Sequence, residues 1–153
     1  MYTFFQRHCC VYNILLYVCI MKYEFQDCIG SRLRQISRIV DNMFRGYLQD
    51  FDITENQMTI LFALKKLGEV EQGTIGQVLS LERSTVSRNI KMLYSKGYLL
   101  KSNAYRPHIS LSEEGLELVT KLVPIWEDIM SNLYDKLGDS GLNHLKEIEL
   151  KIK

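Results

Sequence analysis

Six cations and no carboxylates lie between Arg83 and His108, and such a stretch could bind a polyanion. The chain has 19 Lys/Arg and 18 Asp/Glu, so the rest of it holds 13 basic and 18 acidic residues. A polyanion such as a nucleic acid repels carboxylates and exchanges its counterions for Lys and Arg. The net charge of +1 argues against a polybasic coat protein, so any such contact must be local. The six cations are Arg83, Arg88, Lys91, Lys96, Lys101 and Arg106.

The periodicity of residues 82–97 predicts a helix with one buried and one polar face. Val86, Ile90 and Leu93 fall within a narrow arc, which predicts the buried face. Small hydroxyls allow a helix backbone to approach a groove floor, and Arg binds guanine or phosphate oxygens. A solvated basic helix, or one that meets an acidic partner protein, would present a similar face. The opposite face carries Ser84, Thr85, Ser87, Arg88, Lys91 and Ser95.

The flanking segments predict a winged helix-turn-helix. Residues 72–81 are expected to form a shorter helix with Ile75, Val78 and Leu79 inward, and a tight turn at 80–82 leads into the basic helix. Residues 98–101 and 108–111 are strand-like and enclose a segment rich in turn formers. Arg106 lies near the tip of this predicted hairpin, where a cation could enter a minor groove.

Three sequence runs carry a family resemblance: LERSTVSR at 81–88, LYSKGYL at 93–99 and ISLSEEG at 109–115. They resemble the MarR family of bacterial transcription regulators. The resemblance implies a mainly α fold with a small β-hairpin wing and N- and C-terminal dimerisation helices. The usual family wing has an Asp-Arg-Arg tip, whereas this shorter wing keeps only Arg106 before Pro107.

The same resemblance implies a sequence-specific regulator of transcription that binds a double-stranded DNA operator as a homodimer. It also implies that the protein is a ligand-responsive repressor. The operator is expected to be pseudo-palindromic, because two heads related by a two-fold axis bind two half-sites. The expected DNA contacts are Ser84, Thr85, Ser87, Arg88, Lys91 and Arg106.

The domain organisation follows from caps and breaks along the chain. Residues 22–153 are expected to form one domain after an N-terminal extension at 1–21. The extension either precedes the natural start or packs as an extra helix on the dimer, and an export signal is the least favoured alternative. The winged helix-turn-helix would span 54–115, between dimerisation helices at 22–48 and 112–153. Predicted helix signals are a capping box at Thr54 and Gln57, stops at Gly68, Gly97 and Gly138, a cap at Ser112 and a bend at Pro124.

No motif for an enzyme, a metal or a cofactor is recognised. The four cysteines contain no Cys-x-x-Cys pair and the three histidines sit in different segments, which disfavours zinc. A glycine-rich phosphate loop and a nucleophile elbow are also lacking in the sequence. The protein is therefore expected to be cytoplasmic, to have no enzymatic activity and no cofactor, and to associate with no membrane.

The resemblance also implies two routes by which DNA binding could be regulated. Family members often hold a small ligand between the dimer arms and the DNA-binding lobe, and ordinary core packing is the alternative for any aromatic residue there. Hydroperoxide-sensing members carry a reactive cysteine close to the position of Cys28, which could therefore be a redox sensor. The alternative role of Cys28 is that of an inert, small and buried apolar side chain. The aromatic residues that could line a ligand cleft are Phe44, Tyr47, Phe51, Phe62 and Trp126.

Overall fold

The computed structural model describes residues 23–152, so the predicted extension at 1–21 lies outside the described residues. The chain divides into two compact units, residues 1–40 and 41–153. None of the helices within residues 23–152 combines the length and the apolar character that a membrane span needs.

The described part of the first unit is helical. A 3-10 helix, Phe25–Asp27, is followed by helix α1, Ile29–Leu48, whose first part lies in this unit. The carbonyl oxygen of Cys28 accepts hydrogen bonds from the amides of Ser31 and Arg32, at 3.0 and 3.1 Å, and so begins the helix. Three apolar side chains of this segment are more than half exposed, namely Ile29, Ile36 and Ile39.

The second unit begins its globular part at a tight corner. A 3-10 helix, Gln49–Phe51, ends at Asp52, which adopts a left-handed conformation with φ 50°. Helix α2, Glu55–Leu67, then starts with the predicted capping box. The Gln57 amide donates to Thr54 Oγ1 at 3.3 Å, and the Thr54 amide donates to Gln57 Oε1 at 3.0 Å. Gly68 ends the helix with φ 75°, as its position predicted.

The winged helix-turn-helix follows in the predicted order, with one additional strand. Its elements are β1 Val70–Glu71, α3 Gln72–Leu79, α4 Arg83–Ser95, β2 Leu99–Lys101 and β3 His108–Leu111. The three strands form an antiparallel sheet in the order β1-β3-β2, with Val70 opposite Ile109 and Lys101 also opposite Ile109. The predicted hairpin is therefore confirmed, and β1 extends it into a three-stranded sheet.

The predicted inward orientation of Val78 is wrong, because this side chain is 54% exposed. Helix α3 has only eight residues and packs through Ile75, Gly76 and Leu79. Val78 lies roughly 100° from the centre of that narrow face at the helical repeat of about 3.6 residues. The side chain of Ile75, by contrast, is fully buried as predicted.

The last element is helix α5, Glu113–Ile152, which is interrupted at Gly138 (φ 60°, ψ 175°) as predicted. Pro124 lies inside the helix, and the bend expected there stays a prediction. The buried core of the second unit combines α2, the inner faces of α3 and α4, the sheet and the first part of α5. Its fully buried members include Ile60, Leu61, Ile75, Leu93, Ile109 and Leu122.

Candidate nucleic-acid interface

Helix α4 has the two faces that its sequence predicts. Val86, Ile90 and Leu93 are 2%, 2% and 0% exposed and anchor the helix in the core. Thr85 is half-buried, and its carbonyl oxygen accepts a hydrogen bond from Asn89 Nδ2 at 2.9 Å. The remaining outer residues point to solvent, namely Ser84, Ser87, Arg88, Lys91 and Ser95.

The turn before α4 depends on a close approach between α3 and α4. Ser80 takes a left-handed conformation with φ 52°, and the Leu81 amide donates to the Gly76 carbonyl oxygen at 2.9 Å. A Cβ on Gly76 would lie 3.2 Å from the Leu81 carbonyl oxygen and 3.5 Å from a Val86 methyl group. The absence of a side chain at Gly76 therefore permits the tight helix-turn-helix crossing that presents the outer face of α4.

The base of the wing is fixed by hydrogen bonds. Ser102 and His108 face each other there: the Ser102 amide donates to the His108 carbonyl oxygen at 3.0 Å, and the His108 amide donates to Ser102 Oγ at 2.9 Å. The Gln72 amide, at the start of α3, donates to the Pro107 carbonyl oxygen at 3.2 Å. Beyond these bonds Tyr105 is 100% exposed and Arg106 is exposed beside it.

The exit from the wing ties α4, the sheet and α5 together. Ser112 Oγ donates to the Gly97 carbonyl oxygen at 2.6 Å and accepts from the Gly115 amide at 3.0 Å, so the predicted cap is confirmed. The Ser112 amide donates to the Tyr98 carbonyl oxygen at 3.1 Å. Gly97, in a left-handed conformation with φ 81°, ends the α4 segment as predicted. These contacts hold the wing at a fixed position beside α4.

Five of the six cations in the basic stretch, all six of which the structure describes, have no carboxylate partner there. Arg83, Arg88, Lys91, Lys101 and Arg106 are exposed. Lys96 differs, because its Nζ lies 2.8 Å from Asp52 Oδ2 and also donates to the Asp52 carbonyl oxygen. The sequence did not reveal this pair, since its members are 44 positions apart.

Two grooves flank α4 and bring additional polar residues to the interface. One, of about 490 Å³, lies between α3, the start of α4 and the wing tip, and Arg83, Tyr105 and Arg106 line it. The other, of about 340 Å³, lies between α4 and the wing. Its polar lining includes Ser87, Lys91, Tyr94, Lys101, Ser102 and Asn103. Sequence reasoning did not single out Tyr94, Lys101 or Tyr105 as contacts, although Lys101 belonged to the counted basic stretch.

The residues expected to regulate binding belong to elements other than α4. The rings of Phe62 and Trp126 meet edge to face, with centroids 5.9 Å apart and planes at 88°. Phe44 is buried, Phe51 is half-buried and Tyr47 is 45% exposed. Cys28 is a free and exposed cysteine, so the alternative of a buried apolar side chain is wrong for the isolated chain. The reason is its place just before α1, where its carbonyl group, and not its thiol, makes the structural contacts.

Comparison with known proteins agrees with this geometry. Residues 53–103 match the family model described as MarR family. YhbI of Bacillus subtilis, an uncharacterized HTH-type transcriptional regulator, is 28% identical over 105 residues, covering 66% of this chain and 68% of the relative. BpsR of Bordetella bronchiseptica, a protein whose DNA binding is regulated by 6-hydroxynicotinic acid, has a TM-score of 0.78 at 22% identity, covering 86% of this chain and 98% of that chain. MepR of S. aureus, in complex with DNA, has a TM-score of 0.71 at 24% identity, covering 81% of this chain and 95% of that chain.

The fold and its exposed basic face define a winged helix-turn-helix protein of the DNA-binding class. The family match over residues 53–103 and the HTH-type relatives together support a MarR-family transcriptional regulator. The resemblance seen in the three sequence runs is thereby confirmed. The curated relatives, all from Bacillus species, are uncharacterized HTH-type transcriptional regulators.

Proposed function

We propose that the protein represses transcription by binding a pseudo-palindromic operator as a homodimer, and that a small ligand releases it. The observation that carries the proposal is the outer face of α4, where exposed cations and small hydroxyls stand together with no carboxylate partner among the described residues. A surface of this kind attracts phosphate and can approach base edges. Contact with an operator requires a cytoplasmic location, which is part of the proposal.

Each predicted DNA contact has a distinct role in this proposal. Arg88 and Lys91 reach guanine or phosphate oxygens in the major groove, while the three small hydroxyl residues allow the helix to approach. Thr85, which is half-buried, contributes only at the edge of the contact. Arg106 contacts the backbone or the minor groove beside the wing, where negative potential is concentrated. The hydroxyl residues are Ser84, Thr85 and Ser87.

Exposed apolar side chains at both ends of the described chain support a homodimer. In the first unit Ile29, Ile36 and Ile39 are 68%, 54% and 56% exposed. In the second unit the C-terminal part of α5 exposes Leu137, Leu145, Ile148, Leu150 and Ile152. Large apolar side chains exposed in such numbers on a single chain indicate an interface. A two-fold dimer would bury it and would supply the two reading heads that a palindromic site needs.

The proposed ligand acts by binding one arrangement of the dimer better than the other. The aromatic pair of Phe62 and Trp126 is the best-supported part of a ligand cleft, because the two rings already meet and Trp126 keeps 37% of its surface exposed. BpsR, which has a similar fold, is regulated by 6-hydroxynicotinic acid. That precedent supports ligand control in general and leaves the chemistry of this ligand to experiment.

Quantitative DNA binding tests the proposal. The purified protein is titrated against a labelled fragment of its own upstream region at several salt concentrations, and the bound site is footprinted. Arg88→Ala should weaken binding by about 1–3 kcal/mol, roughly 5- to 150-fold, without changing the melting temperature. Lys91→Ala should make the salt slope shallower by about 1 per subunit, whereas Lys121→Ala, which removes an exposed helical lysine outside the basic stretch, should have no effect.

Two results would contradict the proposal. The first is Arg88→Ala binding with the affinity of the wild type, which would remove α4 as the recognition helix. The second is weak, sequence-independent DNA binding together with tight binding to an acidic protein. That result would favour the alternative function, a winged-helix module that binds an acidic partner.

A further inference from the structure

The end of α4 is attached to the corner that precedes α2. Lys96 follows the last residue of α4, and its amide donates to the Met92 carbonyl oxygen at 3.1 Å. Its Nζ donates to the carbonyl oxygen of Asp52 and lies 2.8 Å from Asp52 Oδ2. The Lys96 side chain is 25% exposed, whereas the Asp52 carboxylate side chain is 95% exposed. The lysine stem is therefore held along the protein surface while its ammonium group is directed at Asp52.

A second contact links the same two segments. Gln57 is 1% exposed, and its Nε2 donates to Met92 Sδ at 3.6 Å while its Oε1 accepts from the Thr54 amide. The last turn of α4 is thus joined at two points, through Met92 and Lys96, to the segment 52–57. We call Asp52, Gln57, Met92 and Lys96 the corner clamp.

We infer that the corner clamp positions α4 for DNA, with Asp52 and Lys96 as positioning residues that do not themselves bind the operator. This inference rests on the proposed DNA-binding function. A hydrogen bond to a base tolerates displacements of about 0.5 Å. Arg88 lies eight residues before Lys96, roughly 12 Å along a helix. A 10° tilt about the end of α4 would therefore move Arg88 by about 2 Å, enough to break a base contact.

The charge of the pair argues against the simpler role of Lys96 as a phosphate contact. Its ammonium group already has a carboxylate and a carbonyl oxygen as partners, and the pair carries no net charge that would attract DNA. An exposed ion pair also contributes little to global stability, so the pair can be broken without unfolding the protein. The two roles make opposite predictions for Asp52. Removal of an acid from a DNA-binding surface normally tightens binding, whereas loss of a positioning acid weakens it.

The decisive experiment is Asp52→Asn, because Asn tolerates the left-handed backbone conformation that Asp52 adopts. Operator affinity should fall by about 2- to 30-fold, with the salt slope unchanged. Glu82→Gln is the matched control, since Glu82 is an exposed acid next to the basic stretch with no capping hydrogen bond from its side chain. This control should bind DNA as tightly as the wild type or tighter. Asp52→Asn binding tighter than the wild type, or equally well, would overturn the inference.

Lys96 provides the complementary test. Lys96→Met should weaken operator binding to a similar extent with an unchanged salt slope, whereas Lys96→Arg should keep most of the wild-type affinity. In the double variant with Asp52→Asn, Lys96→Met should cause little further loss of affinity. Lys101→Met is the matched control for a phosphate contact and should make the salt slope shallower by about 1 per subunit. A slope made shallower to the same extent by Lys96→Met would make Lys96 a DNA contact and refute the inference.

Hydrogen exchange of the protein without DNA separates this inference from the proposed function. Breaking the clamp should accelerate amide exchange at the end of α4 and just beyond it, at residues 94–97, in both Asp52→Asn and Lys96→Met. Unchanged exchange would show that the clamp does not hold the helix. A wild-type protein that fails to bind any operator would refute the proposed function, even if the exchange result supports the clamp.

Discussion

Replacing Gly115 by Ala should destabilise the protein, because the new methyl group has no space between α5 and the wing. A Cβ built on Gly115 would lie 2.1 Å from the carbonyl oxygen of Tyr98 and 3.1 Å from its carbonyl carbon. This carbonyl oxygen is a backbone atom that also accepts a hydrogen bond from the Ser112 amide at 3.1 Å. Either the start of α5 or the strand that begins after Tyr98 must therefore move by about 1 Å to restore ordinary contact distances.

The size of the effect follows from these contacts. Overpacking of a well-packed site costs about 1–3 kcal/mol, and weakening one of the hydrogen bonds made by Ser112 costs a further 0.5–1.5 kcal/mol or so. We expect Gly115→Ala to lower the free energy of unfolding by about 2–4 kcal/mol. Gly46→Ala is the matched control, because Gly46 lies in α1, is exposed and has nothing within 4 Å of a built Cβ. That variant should gain about 0.5–1 kcal/mol from the better helix propensity of Ala.

Urea unfolding followed by far-UV circular dichroism measures both variants. All samples should have one protein concentration, since any dimerisation makes apparent stability depend on it. The midpoint should fall for Gly115→Ala and rise slightly for Gly46→Ala, with similar slopes in denaturant. A Gly115→Ala midpoint at or above that of the wild type would refute the reasoning, because it would mean that α5 and the wing are not packed as closely as the 2.1 Å approach requires.

Two further predictions concern the dimer and a half-buried carboxyl group. Deleting residues 139–153 should give monomer or aggregate. It should also abolish specific operator binding, because one half-site gives too little affinity. A truncated protein that sediments as a dimer and footprints normally would contradict the proposed interface. Burial and then the Asp41 carboxylate raise the pKa of Glu55, and a hydrogen bond from Thr59 only partly offsets them. The stability linked to this group is fully present below the ordinary Glu pKa, about 4.3, and is lost as the pH rises through the raised native value. The free energy of unfolding of Glu55→Gln minus that of the wild type should therefore be more positive at pH 7 than at pH 4. A difference that does not vary with pH would contradict this.

The local signals in the sequence predicted most of the fold because each has a short-range physical cause. The capping box at Thr54 and the helix stop at Gly97 depend on hydrogen bonds and a positive φ within a few residues. The buried face of α4 follows from apolar spacing alone. Strand β1 was not predicted, because two residues carry no periodicity and their pairing depends on β3, which lies nearly 40 positions later. The face of α3 was assigned too broadly because eight residues define a helical face poorly.

The candidate site divides in the same way between local and long-range features. The outer face of α4 could be predicted, since hydroxyls and cations at helical spacing must lie together on the face opposite the core. The grooves beside α4 could not, because they depend on where the wing folds back against the helix. Tyr105 illustrates the limit: its neighbours in sequence predict only a turn, and its full exposure at the tip becomes evident only in three dimensions.

The pairing of Lys96 changes what the basic stretch can do, and a count of charges does not reveal it. If all six cations met phosphates of B-DNA, the slope of log affinity against log salt would be about −5.4 per subunit from this stretch. Because Lys96 is held by Asp52, at most five remain, and the slope from the stretch should not be steeper than about −4.5 per subunit. Of those five, Arg83 and Arg106 line one groove while Lys91 and Lys101 line the other, so phosphates that contacted these four side chains would lie on both sides of α4. Arg88 lines neither of these grooves and is therefore the cation most available for reading base edges. Substitution of Arg88 therefore tests sequence recognition, whereas substitution of Lys91 or Lys101 tests the sequence-independent part of the affinity.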